Sequence, residues 1–347
     1  MRDDPSLQSL PVAVGGRPDQ RGVIATCNYE ARRFGVRSAM ATSQALQRCP
    51  NLVVLRPAME KYRAVSCQIL AIYRDYTELV EPLSLDEAYL DVSNSPHCQG
   101  SATLIAEEIR ARIAQTVGIT ASAGIAPNKF LAKIASDWNK PNGQFVIRPH
   151  EVDAFVAALP VKKLHGVGKV TAAKLNRLGA HTCADLRGWA QADLQQQFGK
   201  FGNRLYELCR GIDNRTVQPS QERKSVSVEE TYVTDLPDLQ ACLQRLPGLI
   251  EDLERRVQRV KAEQHIRKLY AKIRFANFRH TTVECLGTVL DAATFQTLLE
   301  TGFRRGERPV RLLGVGVRLG AHSGDGGTGG TDLQQMGLFG EAGQTRN

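Results

Sequence analysis

The residues most able to do chemistry are two adjacent acids, Asp86 and Glu87, in the stretch Pro82–Val92. The residues around them are apolar and typical of a strand, so both carboxylates are predicted to be buried. Burial of two like charges is costly and raises their pKa values unless a cation stabilises them. Mg2+ prefers oxygen ligands and commonly joins one or two carboxylates to the phosphates of a substrate. The pair therefore indicates a magnesium site, although an acidic doublet seen alone is more often part of an ordinary turn.

Candidate phosphate-binding side chains lie on both sides of this pair in the sequence. Tyr29 and Arg32 are three residues apart in a short predicted helix over 27–35, so they share a face. An arginine binds a phosphate with two parallel hydrogen bonds, and a tyrosine hydroxyl can donate another. Lys140 stands at a turn that contains proline and glycine, where its compact charge can reach a phosphate. An isolated Tyr-x-x-Arg, however, is more often a pair of ordinary surface side chains.

A glycine-rich turn between two short helices is a candidate DNA contact. Gly166, Gly168 and Lys169 lie in this turn, whose backbone amides can approach a phosphate closely because glycine has no side chain. A plain tight turn explains the same residues equally well. The segment follows no strand, which argues against a dinucleotide-binding fingerprint.

Composition favours a cytoplasmic protein with a polyanionic partner. The chain has 347 residues and a formal net charge of +9, and clusters of basic residues lie in its C-terminal half. It has no apolar run long enough to cross a membrane and no signal-peptide pattern at its start. The cysteines are scattered without a Cys-x-x-Cys pair, which argues against a zinc site and a disulfide framework.

The order of predicted elements indicates several domains. Strands alternate with helices over roughly the first 145 residues, which predicts a mixed sheet with helices packed on it, and the acids lie in a hairpin of this region. Short helices follow from His150, and the polar stretch 213–222 is predicted to be a linker. A second α+β domain follows, whose strands carry alternating basic residues. The chain ends in a glycine-rich segment and the apolar tag 335–339, which is typical of a peptide that fills a partner's groove.

Taken together, these motifs resemble the Y-family translesion DNA polymerases, and most closely their bacterial members, over nearly the whole chain. Ser84–Asp91 is similar to the family's palm motif, Tyr29–Arg32 to its fingers motif, and Lys140–Gly143 to its palm lysine motif. The stretch Gly124–Lys133, the glycine hairpin and the C-terminal tag also follow the family pattern. Any one motif is weak, but their shared order is specific.

The resemblance implies an α+β multidomain, right-hand polymerase that adds deoxynucleotides to a primer 3′ end by a two-metal mechanism in DNA repair and translesion synthesis. It implies that two Mg2+ ions bind at Asp86 and Glu87 and that deoxynucleoside triphosphates bind at Thr26, Tyr29, Arg32 and Lys140. It also implies a monomer that binds primer-template DNA through Gly166, Gly168 and Lys169, and a sliding clamp through Gln335, Leu338 and Phe339. The domains implied are fingers at 8–55, palm at 1–7 and 56–147, thumb at 148–213, a linker at 214–222, a little finger at 223–320 and a tail at 321–347.

The start of the chain departs from the family pattern. Family members begin with a strand that carries a third metal-binding aspartate and the aromatic residue that excludes ribonucleotides, and Met1–Pro5 aligns just after that strand. We therefore expect a longer natural protein or a truncated form, and in this chain we expect DNA binding with weak primer extension or none. The alternative is a non-catalytic DNA- and clamp-binding derivative. A repair nuclease or glycosylase fits less well, because the chain lacks the further acids or the lysine context of those enzymes.

Overall fold

The structure is a computed structural model that describes residues 1–220, 222–260 and 264–321. The clamp-binding residues predicted at Gln335, Leu338 and Phe339 lie outside the described residues. The chain divides into two compact units, Met1–Glu222 and Arg223–Asn347. No helix within the described ranges is both long enough and apolar enough to cross a bilayer.

The first unit begins with a small mixed sheet. Its order is β2-β1-β3, with β1 antiparallel to β2 and parallel to β3, and two short helices cover it. The elements are β1 (Val12–Gly15), β2 (Ile24–Cys27), α1 (Tyr29–Arg33), α2 (Thr42–Arg48) and β3 (Val53–Leu55). The core between them is built from short side chains such as Ala13, Ala31 and Ala45, all almost fully buried, so the helices pack close to the sheet.

Two long helices and two strand pairs follow. The elements are α3 (Met59–Arg74), β4 (Val80–Pro82), β5 (Ala88–Leu90), α4 (Ala102–Val117), β6 (Ala123–Ile125), α5 (Lys129–Ser136) and β7 (Gln144–Val146). Helix α4 buries Ile105, Ile109 and Ile113, which recur every four residues and so form one apolar face against α3. The sequence predicted a buried strand over 120–126. The strand is shorter and only half-buried, because β6 pairs with β7 alone.

A bundle of short helices completes the first unit. It contains α6 (Val152–Ala157), α7 (Lys169–Arg177), α8 (Cys183–Arg187), α9 (Gln191–Phe198) and α10 (Lys200–Leu208). Leu175, Leu186, Leu194 and Leu205 meet in its centre and are inaccessible to solvent. Phe130 and Leu131 of α5 belong to the same core, so α5 joins the bundle to the strand pairs.

The second unit is one antiparallel sheet covered on one face by two helices. The sheet order is β10-β9-β11-β8. Its elements are β8 (Ser225–Leu236), α11 (Leu239–Val257), β9 (Gln264–Phe275), β10 (His280–Leu286), α12 (Ala292–Arg304) and β11 (Val310–Ala321). Alternate residues of β9, including Leu269, Ala271 and Ile273, are buried under the helices. The residues between them, including Lys268 and Lys272, lie on the opposite, helix-free face.

That helix-free face is less cationic than the alternating basic residues of the strands suggest. Lys272 pairs with Glu229 at 2.8 Å, and Glu284 pairs with both Lys268 at 2.6 Å and Arg318 at 3.5 Å. The Lys272–Glu229 pair spans the intervening strand β11 at Gly314, where a Cβ atom would come within 2.7 Å of the Glu229 side chain. A glycine at this position leaves room for the pair to form, and the centre of the face is close to neutral.

Candidate active site

Asp86 and Glu87 lie at the tip of the hairpin formed by β4 and β5, as the sequence predicted. The Leu83 amide donates to the Glu87 carbonyl at 2.9 Å and closes the turn. The Ser84 hydroxyl donates to Asp86 Oδ1 at 2.6 Å. The prediction that the acids are buried was wrong. Both residues are exposed, because the apolar residues around them belong to a two-stranded hairpin that has little sheet to cover it.

Helix α5 contacts this hairpin at both ends. Near the tip, Lys133 Nζ donates to Glu87 Oε2 at 2.7 Å. At the root, Lys129 forms an ion pair with Glu81 of β4, and both side chains are more than nine-tenths buried. The two lysines are four residues apart and so lie on one face of the helix. Through these two ion pairs, α5 fixes the hairpin that presents the acids.

The segment that follows α10 closes over the root of the hairpin. The Gln218 amide donates to Glu81 Oε2 at 2.7 Å, and Lys129 Nζ also donates to the Thr216 carbonyl at 3.0 Å. Asn128 accepts from the Leu131 amide as the N-cap of α5 and donates to the Gly211 carbonyl at 2.8 Å. Among its described residues the stretch predicted as a linker has no helix or strand, but as far as Gln218 it is bound to the active-site hairpin and to α5.

Asp213 is the centre of a second charged cluster in this segment. Its side chain is fully buried, and it accepts hydrogen bonds from Arg204 at 2.7 Å, from Arg215 at 2.8 Å and from the Phe130 amide at 3.0 Å. Burial raises the pKa of the Asp213 carboxyl, but the hydrogen bonds and charges of Arg215 and Arg204 outweigh this effect and hold the pKa well below its usual range. The cluster is therefore ionised at neutral pH and anchors the start of α5.

Because of Asp213, the stability of the first unit should depend on pH in the acidic range. The pKa of its carboxyl is lower in the folded chain than in the unfolded chain, so its contribution is complete above the ordinary value of 3.8 and is lost as the pH falls through the lower, folded value. We expect Asp213→Asn to lower the free energy of unfolding by about 2 kcal/mol at pH 7, because charge-assisted hydrogen bonds from two arginines are lost. The difference from the parent chain should shrink as the pH falls below 4.

The measurement is urea denaturation followed by tryptophan fluorescence at several pH values. Trp138 and Trp189 are the tryptophans of the chain, and both lie in the first unit, so the signal reports on that unit. The control is Asp153→Asn, since Asp153 is largely exposed and its ion pair with Arg187 should contribute less than about 1 kcal/mol. Equal losses in both variants would contradict the role given to Asp213.

The side chains predicted to bind phosphate line the same cleft as the two acids. The cleft has a volume of about 1930 Å3 and lies within the first unit, and its lining includes Thr26, Tyr29, Arg32 and Lys140 together with the acids. Thr26 is in β2, and Tyr29 begins α1. All four residues are exposed. The structure therefore brings together every predicted metal- and nucleotide-binding residue, although they are spread over more than a hundred positions of the sequence.

Neighbouring groups determine the charge and orientation of these side chains. Arg32 Nε donates to the Cys27 carbonyl at 3.3 Å, and the guanidinium carbon lies 5.7 Å from the centre of the Tyr29 ring. Lys140 Nζ pairs with Asp137 Oδ1 at 2.6 Å. The hydrogen bond to Asp137 raises the pKa of Lys140, and the negative charge of Glu87 adds to the effect. Lys140 is therefore protonated at neutral pH.

The predicted DNA-binding turn forms the hairpin between a short helical turn at Val161–Lys163 and α7. Gly166 has a φ of +88°, and a Cβ atom there would lie 2.9 Å from the Phe201 ring, so only glycine fits without strain. Gly168 is the N-cap of α7, and a Cβ atom there would meet nothing within 4 Å. Lys169 is the first residue of the helix and is exposed. Helix α7 has no side-chain cap and its first residues are exposed, so the amides of its first turn are available to an anion.

Comparisons with known proteins agree on one family. Residues 1–137 match the impB/mucB/samB family, 162–213 match the DNA polymerase-iota thumb domain, and 223–321 match the impB/mucB/samB C-terminal domain. The chain is 64% identical to DNA polymerase IV of Ralstonia nicotianae over 319 residues. This alignment covers 92% of this chain and 89% of the relative. It is also 60% identical to DNA polymerase IV of Ectopseudomonas mendocina, over 92% of this chain and 91% of that relative. The chain belongs to the Y-family of DNA polymerases.

Solved structures agree with this assignment. A Y-family chimera of the polymerases Dbh and Dpo4 superposes with a TM-score of 0.82 at 28% identity, over 91% of this chain and 93% of that one. An insertion ternary complex of Dbh DNA polymerase superposes with a TM-score of 0.62 at 28% identity, over the same shares of the two chains. The predicted α+β multidomain polymerase fold is confirmed, and so is the predicted class of enzyme, a DNA-directed DNA polymerase of the translesion type.

Y-family polymerases use divalent metal ions, and the donor set at the hairpin tip fits such an ion in part. Asp86 and Glu87 offer exposed carboxylate oxygens, and Mg2+ commonly takes one or two carboxylates and completes its shell with water and phosphate oxygens. Within residues 1–220, 222–260 and 264–321, no group of three or more histidine, cysteine or acidic side chains could hold a metal. Asp86 and Glu87 therefore supply part of the oxygen ligands that such an ion needs.

Sequence reasoning missed the residues that hold the hairpin in place. Glu81, Lys129 and Asp213 are buried charged residues that each contact a distant part of the chain, Glu81 and Lys129 by their ion pair and Asp213 by its bond to the Phe130 amide, and none was predicted to matter. A signal was present for Lys129, which stands directly before the apolar run Phe130–Leu131, where a solvated lysine is unusual. No comparable local signal marks Glu81 or Asp213.

Proposed function

We propose that the cleft of the first unit carries out metal-dependent transfer of a deoxynucleotide to a primer 3′ end. Asp86 and Glu87 hold Mg2+, and Thr26, Tyr29, Arg32 and Lys140 bind the triphosphate. The observation that carries this proposal is the position of two exposed carboxylates in the same cleft as hydroxyl and cationic side chains suited to phosphate. This arrangement gives a charged triphosphate one place where its metal and its oxygens are both bound.

The residues of the chain have separate tasks in this reaction. Arg32 and Lys140 offset the negative charge of the phosphates, and Tyr29 donates a hydrogen bond to them. Lys133 balances the charge of Glu87 and keeps its carboxylate at the hairpin tip, facing the cleft. When bound, Mg2+ supplies Lewis-acid stabilisation of the phosphoryl oxygens and a more acidic primer hydroxyl. The resemblance to the family predicts two such ions.

The test is extension of a labelled primer on a template, with Mg2+ and all four deoxynucleoside triphosphates. We expect addition of the templated nucleotide, and we expect it to stop when EDTA removes the metal. Nucleotide binding, followed by fluorescence of a labelled triphosphate with and without Mg2+, is measured on the same sample. Failure to add nucleotide, together with triphosphate binding that does not change with Mg2+, would overturn the proposal.

For the domain boundaries we propose the fingers, palm, thumb, linker and little-finger ranges stated above. The proposed DNA contacts are the α7 hairpin at Gly166, Gly168 and Lys169 and the second unit, and the proposed protein partner is a sliding clamp that binds the tag at Gln335, Leu338 and Phe339. The enzyme is proposed to act as a monomer. Support for the hairpin comes from its free helix-start amides and the exposed Lys169.

Salt dependence tests the DNA surface. We expect the dissociation constant for primer-template DNA to rise steeply with salt, because phosphate contacts release counterions. Lys169→Ala should reduce the slope of the logarithm of affinity against the logarithm of salt concentration by about one. The measurement is fluorescence anisotropy of labelled DNA between 50 and 200 mM salt. An unchanged slope in Lys169→Ala would remove this residue from the interface.

A further inference from the structure

The second unit displays an aromatic side chain at the turn between β9 and β10. Phe278 is 62% exposed, and its φ of +66° lies in the left-handed region that residues other than glycine rarely adopt. The turn is closed by hydrogen bonds from the Phe278 amide to the Phe275 carbonyl and from the Phe275 amide to the Arg279 carbonyl, both at 2.9 Å. Because the backbone is fixed in this way, the ring is held in solvent and does not pack on the core.

One neighbouring side chain lies over one face of this ring and leaves the other face open. The guanidinium carbon of Arg311 lies 4.9 Å from the centre of the Phe278 ring, which is a cation–π contact. Arg311 is the second residue of β11. The loop before that strand is joined to the turn by a hydrogen bond from the Ala276 amide to the Pro309 carbonyl at 2.8 Å. The ring and the guanidinium therefore belong to two segments that hold each other in place at one end of the sheet.

Unpaired arginines concentrate at this same end. The Arg274 Nε atom is buried and has no hydrogen-bond partner within the described part of the chain. Arg279 and Arg308 are exposed in the turn and the loop, and no ion pair to either is found among the described residues. At the centre of the sheet, by contrast, the cations are paired with Glu229 and Glu284. The exposed guanidinium groups of Arg279 and Arg308 therefore leave positive charge available to an anion at this end of the sheet.

A ring next to several cations matches the chemistry of a nucleotide. Arginines bind phosphates, and an exposed aromatic face stacks on a base whatever its identity. Bases within a duplex already stack on each other, so the Phe278 ring can reach only an unpaired base. A polymerase meets unpaired bases in the template strand beyond the primer end.

We propose that Phe278 and Arg311 form a stacking platform for an unpaired base of single-stranded DNA, with Arg274, Arg279 and Arg308 contacting the adjacent phosphates. The platform rests on the proposed DNA-binding function and adds a site for the unpaired part of the substrate. Its ligand class is single-stranded DNA without strong sequence preference, because stacking is tolerant of the base.

The test measures the affinity of the full chain and of two variants for each of two DNA probes. One probe is a blunt duplex, and the other is the same duplex with an unpaired 5′ template overhang that contains 2-aminopurine. In Phe278→Gly the ring is removed, and glycine suits the positive φ at this position, so the turn is expected to fold. Phe278→Trp keeps an aromatic face. We expect Phe278→Gly to weaken binding of the overhang probe about 5- to 150-fold and to leave the blunt probe unchanged.

The other measurements separate stacking from general effects. The parent chain and Phe278→Trp should quench the 2-aminopurine, and Phe278→Gly should not. The control is Leu286→Ala: Leu286 is 82% exposed at the far end of β10, and its replacement should alter neither probe. Unchanged overhang affinity in Phe278→Gly overturns the platform, and an equal loss on both probes overturns its assignment to single-stranded DNA. If the parent chain binds neither probe, the DNA-binding function itself fails.

Discussion

Replacing Asp86 with asparagine should lower the rate of nucleotide addition by about 10³-fold or more. A bound metal ion contributes several kcal/mol of transition-state stabilisation, and each 1.4 kcal/mol corresponds to a tenfold change in rate. Asparagine keeps an oxygen that can accept the Ser84 hydroxyl bond, so the turn should survive and the fold should be unaffected. The measurement is the single-turnover rate at saturating triphosphate, with the Mg2+ concentration varied.

The control for this variant is Asp91→Asn in the same hairpin region. Asp91 also lines the cleft, and its Oδ1 accepts from the Ser93 amide at 3.0 Å, a bond that asparagine can replace. We expect Asp91→Asn to change the rate less than about threefold, since it removes a charge from the cleft without removing a proposed metal ligand. Mg2+-dependent binding of a labelled triphosphate should be lost only in Asp86→Asn. Similar losses in both variants would mean that general electrostatics, and not metal binding, explains the effect.

Local features that the sequence could predict are those set by residues close together in the chain. The bounds Ala102–Val117 for α4 follow from Ser101, which caps the helix start, and from Gly118, whose φ of +71° ends it. The position of Asp86 and Glu87 at a hairpin tip was predictable for the same reason, because a turn between two short strands is a local pattern. The metal and nucleotide residues came from motifs whose order, and not any one alone, identified the family.

What could not be predicted depends on contacts between distant parts of the chain. Glu81 and Lys129 are 48 positions apart, and nothing near either residue reveals the other as its partner. The neutral centre of the second sheet has a similar cause. Glu229 and Lys272 are on β8 and β9, and they face each other only because β11, the last strand in the sequence, lies between them in the sheet. Counting cations along a strand therefore overestimated the charge of that face.

The Lys129–Glu81 ion pair should matter for both stability and catalysis, and the two effects can be separated. We expect Lys129→Met to lower the free energy of unfolding of the first unit by about 3–5 kcal/mol, because it leaves Glu81 charged and buried without its cation. The double variant Lys129→Met with Glu81→Gln leaves no unpaired charge at the root of the hairpin, and glutamine still accepts from the Gln218 amide. It should therefore recover at least half of the lost stability. The measurement is urea denaturation followed by the fluorescence of Trp138 and Trp189.

The rate of nucleotide addition should not recover with the stability. In the double variant the root of the hairpin is no longer tied to α5 by an ion pair, so Asp86 and Glu87 are held less closely, and misplacement of catalytic groups by about 1 Å can cost 10²-fold. We expect kcat to stay 10- to 100-fold below that of the parent chain, with the KM for the triphosphate little changed, since Arg32 and Lys140 are untouched. If kcat recovered fully along with stability, the Lys129–Glu81 pair would have a purely structural role. A persistent loss in a folded protein would show that buried charges at the root of the hairpin position the exposed acids at its tip.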